Sequence, residues 1–587
     1  MTESTLPPLQ TRSGWRRALV VFVLLGAGVY GAGLLASRDD SGTIPSNVMI
    51  LTVMLGPLVA LLGFGLWWVL LGDGRWWKRI LAVFGVTLAI AGVVFAAHPS
   101  MRQFIGVWGV PLSVGITGLA LVVVPPARWW PAAGLIALAA LAPWLALRVD
   151  GVTGAFEMHT SYRWKLSVAD AAAQQLADRA TVVPTETVGD FAPATSADWP
   201  GFRGSNRDSV VSLAAYRGWD GSPPRERWRK DPVGPAWSSF CIAGEFLFTQ
   251  EQRGESESVV CYRADTGKEV WARGEPGKHS DQPSGAGPRA TPTYANGRVY
   301  AVSASGVVSC LHAGTGEPVW TVNLAERFGA TKPVFGLATS PLVVGDLVIV
   351  NLASTASPRL AALDSATGAT RWAAEARGTD GYSSPHAATI AGVPQVLLFN
   401  GAGLFGHDPQ TGRELWHYDW VTRSIEPTAV QPLVLPDGRV IVGGGNVGVG
   451  TRCVKVQRTS DGWTIAEAWK TPKFSPKFND FVRVGEYLYG LDEGLVCLKL
   501  ADGTRLWKEG HYGAGQLLLV GDKLLIVTEM GQLACVSAKP DEYEELWKVD
   551  VMKGKTWNHP AIARGQLFFR NATQMVAFDL PGWAGSN

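Results

Sequence analysis

The feature that most restricts this chain is a phrase it repeats. "CYRADTGKEVW" ends at Trp271, "CLHAGTGEPVW" at Trp320, "ALDSATGATRW" at Trp372, "GHDPQTGRELW" at Trp416 and "CLKLADGTRLW" at Trp507. Blurred copies, "RTSDGWTIAEAW" and "SAKPDEYEELW", end at Trp469 and Trp547. Each copy reads as an alternating strand, a tight turn whose glycine supplies a positive backbone angle, and a second strand closed by the indole. Between the copies lies another series of strand, glycine turn and strand: "CIAGEFLFT", "TYANGRVYAV", "LVVGDLVIV", "IAGVPQVLLF", "VLPDGRVIV", "RVGEYLYG", "LVGDKLLIV" and "IARGQLFFR". One hairpin of each series makes a four-stranded sheet.

Eight inner hairpins against seven outer phrases leave one outer strand unaccounted for. "PRERWRKD" (224–231), with Trp228, stands before the first inner hairpin, and "MVAFDLPGW" near the chain end lacks its regular partner. If the early strand completes the last sheet, a ring closes and no raw sheet edge remains. The expected fold is therefore an all-β propeller of eight four-stranded antiparallel blades over residues 198–587, closed by the strand near 224–231. From Trp228 to Trp547 the step averages about 46 residues. The repeated Trp is expected to be a wedge between blades, contributing on the order of 2–3 kcal/mol by burial. Cys261, Cys310, Cys497 and Cys535 take equivalent positions in different blades, too far apart for bonding, so they are expected to be buried thiols.

The first quarter is different. Five uncharged apolar runs, Ala18–Ala36, Val48–Leu71, Ile80–Ala97, Phe104–Pro125 and Trp129–Leu147, each approach the ~20 residues needed to cross a bilayer as a helix. Residues 1–148 are thus expected to form five transmembrane helices. Arg12, Arg16, Arg17, Arg75, Lys78, Arg79 and Arg128 flank one side, against Arg38, Arg102 and Arg148 on the other. This bias places the N-terminus in the cytoplasm and everything after Arg148 outside it, on the periplasmic or extracytoplasmic face of the inner membrane. Trp67, Trp68, Trp76, Trp77, Trp129 and Trp130 read as interfacial anchors. Residues 149–197, rich in Thr, Pro and Ala, read as a linker with a possible short helix over 168–180. With 52 Lys+Arg and 50 Asp+Glu, the net charge of +2 leaves no field to recruit nucleic acid.

The array "x-D-x-x-T-G-x-x-x-W" resembles the pyrroloquinoline quinone (PQQ) repeat family, which includes quinoprotein alcohol and glucose dehydrogenases and the assembly lipoprotein BamB. The segment "DWPGFRGSNRDSVVS" (198–212) is similar to the one that opens such propellers, with Asp198, Trp199, Pro200 and Arg203 matching; the wording is similar to that of a membrane-tethered branch. Five helices before an eight-bladed propeller also resemble membrane-bound quinoprotein glucose dehydrogenase. The motif specifies a fold and not an activity, because catalytic and non-catalytic members share it.

A quinoprotein dehydrogenase needs an aromatic platform for PQQ, hard oxygen ligands for Ca²⁺ and a carboxylate base. Segments leading into the inner hairpins supply candidates near the channel: Trp237, Ser239, Arg289, Thr291, Ser340, Tyr382, Ser384, His386, Trp557, Asn558 and His559. Glu426, Asn479 and Asp480 are the candidate ion ligands, with Asp480 or Glu426 as base, and Trp237 or Trp557 as platform. The competing reading is that inner strands line a wet channel, where such side chains satisfy backbone groups and water. About 46 residues per blade leave little chain for the lids that catalytic relatives build. The preferred expectation is a membrane-anchored, non-catalytic binding or assembly platform with a protein or polypeptide partner at the propeller rim and no nucleic acid. The alternative is a membrane dehydrogenase that uses PQQ and Ca²⁺ to oxidise an alcohol or sugar and passes electrons to quinone. "GGGNVGVG" (443–450) has no following helix and reads as a turn, not a nucleotide loop.

Overall fold

In the computed structural model the described residues are 76–105, 142–154, 158–184 and 191–583, with short gaps at 212, 217–218, 282, 353–357, 376–380, 421–427 and 445–448, together with 66, 70 and 139. They fall into two compact units, one holding residues 1–150 and 158–165, the other 151–157 and 166–587.

The second unit is the expected ring. Alternating apolar residues and glycine turns fold each repeat into an antiparallel meander, and eight such sheets follow in order: blade 1 over 241–276, then 293–323, 342–374, 386–419, 433–471, 481–513, 516–550 and 561–579. In blade 6 the two middle strands run on as Tyr487–Lys499, through Glu493 at φ 60°. Blade 7 gains a short parallel strand, Val210–Val211, alongside Gln516–Val520. Blade 8 takes its outermost strand from Arg225–Lys230, which pairs antiparallel with Met575–Asp579 and sets Trp228 opposite Ala577. The ring is closed by the strand that the sequence offered.

The wedge has a specific seat. Trp228, Trp271, Trp320, Trp372 and Trp469 each lie against the T-G or D-G turn glycine of the next blade: Gly267, Gly316, Gly368, Gly412 and Gly503. A Cβ on any of those glycines would stand between 2.5 and 2.8 Å from the indole. The indole N–H then donates to a carbonyl beside that turn, as Trp271 does to Ala313 at 2.9 Å and Trp372 to Pro409 at 3.0 Å. The other three differ: Trp507 donates to Pro540 O at 2.9 Å in a blade 7 turn that has no glycine, Trp547 donates to Gly221 O ahead of the closing strand, and Trp416 does not reach the next blade's turn. Blade 5 carries long outer strands, Thr451–Thr459 and Gly462–Thr471, whose turn lies too far out to receive the ring, and Trp416 donates instead to Gln395 of its own blade at 2.6 Å.

The residue opposite each Trp is always small: Cys261, Cys310, Ala362, Gly406, Cys453, Cys497, Cys535 or Ala577. Five cysteines are therefore spacers under the indole, the sixth, Cys241, pairs with Phe248 on the inner side of blade 1, and all six are free and buried. Apolar clusters join neighbouring blades, for example Phe248, Cys261 and Trp271 with Tyr294, Val299 and Leu311.

Part of the expected linker is folded. Ser167 caps the helix Val168–Gln175 by accepting from Asp170 N at 2.9 Å; the helix continues as a tighter turn, Ala177–Arg179, and both lie on blade 1. Gly254 N donates to Ala173 O at 2.7 Å, Arg253 reaches Arg179 O at 2.7 Å, and Val182 bridges Ala272.

In the first unit, the helix Trp76–Ala96 covers the third apolar run. Among the described residues no helix is long and apolar enough to cross a membrane. The other four runs lie wholly or mostly outside the described residues, as do several side chains of Trp76–Ala96.

Candidate functional site

One or two residues before the inner strand, or at its first residue in blade 7, every blade places a polar side chain: Ser239, Thr291, Ser340, Ser384, Gln431, Asp480, Gln516 and His559. These residues form a belt. Ser239 N donates to Thr291 Oγ1 at 3.0 Å, Thr291 N to Ser340 Oγ at 2.9 Å, Ser340 N to Ser384 Oγ at 2.9 Å and Gln431 N to Asp480 Oδ1 at 2.7 Å. Ser239 Oγ closes toward blade 8 by donating to His559 O at 2.5 Å. Apart from blade 7, the inner edges of the blades lack a further strand, and side chains satisfy these backbone donors instead.

Across this end of the channel runs the segment 198–211. Trp199 bridges Ile242 of blade 1, Tyr294 N of blade 2 donates to Pro200 O at 2.8 Å, and Val210–Val211 joins blade 7. Two buried guanidinium groups project from it, on residues at φ 62° and 55°. Arg203 donates to Phe481 O at 3.1 Å and lies 3.3 Å from Asp480 Oδ2. Arg207 donates to Pro385 O at 2.9 Å, Ser340 O at 3.4 Å and Pro341 O. His559 Nε2 stands 3.0 Å from the same Asp480 oxygen, with Phe202 edge-on to its ring.

Electrostatics follow from that burial. Desolvation would raise the Asp480 carboxyl, but Arg203, His559 and the Gln431 N–H outweigh it and hold it below the ordinary carboxylate value. Burial pushes Arg207 down to about 9. Burial, reinforced by Arg207 and Arg203 against Asp480, pushes His386 down to about 3, so its imidazole is neutral at physiological pH.

The remaining sequence candidates also have structural partners. Trp237 and Trp557 stand 5.2 Å apart at 38°, with the Lys555 ammonium 5.2 Å and 4.0 Å from their centroids and Phe478 at 4.8 Å from Trp557. Their indole N–H groups donate to Ser284 O at 2.7 Å and Glu529 Oε1 at 2.8 Å. Arg289 pairs with Asp281 and donates to Phe335 O at 2.8 Å, and the Tyr382 ring packs edge-on against Phe335. Asn558 donates to Ser238 O at 2.8 Å and Ala236 O at 3.2 Å. Asn479 donates to Gly515 O. Glu426 lies outside the described residues.

Among the described residues, no group of three or more His, Cys, Asp or Glu is arranged to hold a metal ion. The belt thus unites Ser239, Thr291, Ser340, Ser384, Asp480 and His559, all named from sequence. Sequence reasoning missed Arg207, Gln431, Gln516 and Lys555. One signal was present: a polar residue followed by proline recurs as Thr291-Pro292, Ser340-Pro341, Ser384-Pro385, Gln431-Pro432 and His559-Pro560.

A family model described as outer membrane protein assembly factor BamB matches residues 255–509 and 491–580, more than half of the chain. The chain belongs to that PQQ-like BamB family. Among solved structures, the quinohemoprotein alcohol dehydrogenase of Comamonas testosteroni is similar at 12% identity over 71% of this chain and 85% of its own, with a TM-score of 0.50. BamB from Moraxella catarrhalis aligns at 15% identity over 61% of this chain and all of its own, with a TM-score of 0.43. At such identity the likeness is one of fold. No curated protein matches the chain.

Proposed function

We propose that this BamB-family propeller is a membrane-anchored, extracytoplasmic platform that binds a protein or polypeptide partner at its rim and does not oxidise alcohols or sugars. The observation that carries the reading is the occupation of the channel end by 198–211. Asp480, the candidate ion ligand and base, commits one carboxylate oxygen to Gln431 N–H and the other to Arg203 and His559. A Ca²⁺ ion there would have to displace a buried guanidinium. The two indoles are tilted toward each other with an ammonium over them, so neither offers the flat, open face that PQQ would need. These residues do not fit the cofactor, and no oxidative step is derived through it. Anchoring rests on the five apolar runs of the first quarter, and in the helix over the third of them Ile80, Leu81, Phe84, Leu88 and Phe95 are exposed.

The test has two arms. Purified protein mixed with PQQ and Ca²⁺ is expected to give no dye-linked oxidation of alcohols or sugars, and cross-linking in native membranes to recover one stoichiometric protein partner. Robust turnover abolished by Asp480→Ala or Glu426→Ala would overturn the platform reading in favour of the dehydrogenase.

A further inference from the structure

The strand pair that follows the fifth apolar run carries an exposed aromatic and basic face. Leu147–Val152 pairs with Met158–Tyr162, and the second strand leads into Arg163, Trp164 and Lys165. Met158, Tyr162 and Trp164 are 36%, 51% and 68% exposed. Tyr162 and Trp164 stack with centroids 5.0 Å apart at 10°, forming one flat amphipathic surface, and Lys165 Nζ stands 5.9 Å from the Tyr162 ring centroid. An exposed stacked pair this large is costly in water and suits a boundary that is apolar on one side and wet on the other.

The position of that face along the first unit is set by Arg163. Its Nη1 donates to Ala96 O at 2.8 Å and to Leu145 O at 3.3 Å. Ala96 is the last residue of the helix over the third apolar run, and Leu145 lies at the end of the fifth. One guanidinium therefore ties the strand pair to the ends of two apolar runs that the charge bias places on the same side of the bilayer. Val149 N also donates to Ser100 Oγ at 2.9 Å, and Ala97, Met101, Ile105 and Val149 are buried beneath.

We infer that the strand Met158–Tyr162 and the following Trp164 and Lys165 dock on the lipid headgroup layer of the membrane that anchors the chain. Trp and Tyr prefer that depth, and lysine can keep its ammonium at the anionic headgroups while its stem lies along apolar surface. The inference rests on the anchored reading and adds a second, peripheral contact with the same bilayer.

All six native cysteines are buried, so Thr160→Cys in the full chain offers a single exposed thiol on the face of Met158 and Tyr162. A nitroxide there is read for collision with oxygen and with an aqueous nickel chelate, in nanodiscs of phosphatidylethanolamine and phosphatidylglycerol. The expected result is headgroup-depth accessibility, shifted to fully aqueous by Tyr162→Ser with Trp164→Ser. Lys165→Glu is expected to weaken the effect only where phosphatidylglycerol is present. An aqueous label in the parent chain, or one whose depth ignores the double substitution, overturns the inference. Alkaline carbonate extraction separates the two levels: a chain that stays in the membrane with an aqueous label loses only the docking surface, whereas a chain that washes out loses the anchored reading and this inference with it.

Discussion

A tryptophan received by a turn glycine is the contact that joins five of the eight blades to the next. The turn glycine does two things at once: it adopts a positive φ, as Gly316 does at 71°, and it leaves room for the Trp271 ring. The two effects can be separated by substitution. Gly345 has φ 60° and open space, with nothing within 4 Å of where an added methyl would stand, so Gly345→Ala is expected to cost only the backbone term of about 1 kcal/mol. Gly316→Ala adds overpacking against the indole and should cost about 2–4 kcal/mol in urea unfolding; equal losses would remove the wedge from the account.

His386 supplies a second residue-scale expectation. Its folded value of about 3 lies below the ordinary 6.5, so below pH 6.5 the unfolded chain takes up a proton that the folded chain refuses. Stability should then fall with acid by up to about 1.4 kcal/mol per pH unit until roughly pH 3, and the slope should flatten in His386→Gln.

At the scale of elements, closure depends on one borrowed strand. Arg225 faces Asp579 across the last ladder, and both are solvent-accessible. Cysteines at these two positions are expected to oxidise to a disulfide, visible as faster migration on a non-reducing gel. The bridge should raise stability by up to about 5 kcal/mol, because it closes a very long loop in the unfolded chain. Failure to oxidise in the folded protein would contradict the pairing. The same strand shows why the ring has no exposed edge: blade 8 contributes three consecutive strands, and only the early segment can supply the fourth.

For the whole molecule, the segment 198–211 is the tie that the blades share. It touches blades 1, 2 and 7 by backbone and blades 3, 4 and 6 through Arg207 and Arg203. Removing Arg203 strands a buried carboxylate. Arg203→Ala is therefore expected to lose about 3–5 kcal/mol, with part of it recovered when Asp480→Asn is added, as measured by chemical denaturation. An Arg203→Ala protein as stable as the parent would mean the pair is not a structural tie.

The blade count, the closing strand, the wedge and four of the buried cysteines were legible in the order of residues, because a hairpin and its turn are local and each copy repeats the same short-range chemistry. The candidate site was legible only as a set of positions. Ser239, Thr291, Ser340, Ser384, Asp480 and His559 were recognisable as channel residues, yet what each bonds to depends on neighbours up to 320 residues away, as for Ser239 and His559. Arg207 was invisible as a channel cation because nothing local says that an irregular stretch will turn its side chain inward. The sequence by itself determined the repeat, its number and its closure, since these follow from periodicity. Only the tertiary structure decided that the channel end is filled by two arginines from outside the blades, since burying a charge depends on which distant carbonyls and carboxylates come to meet it.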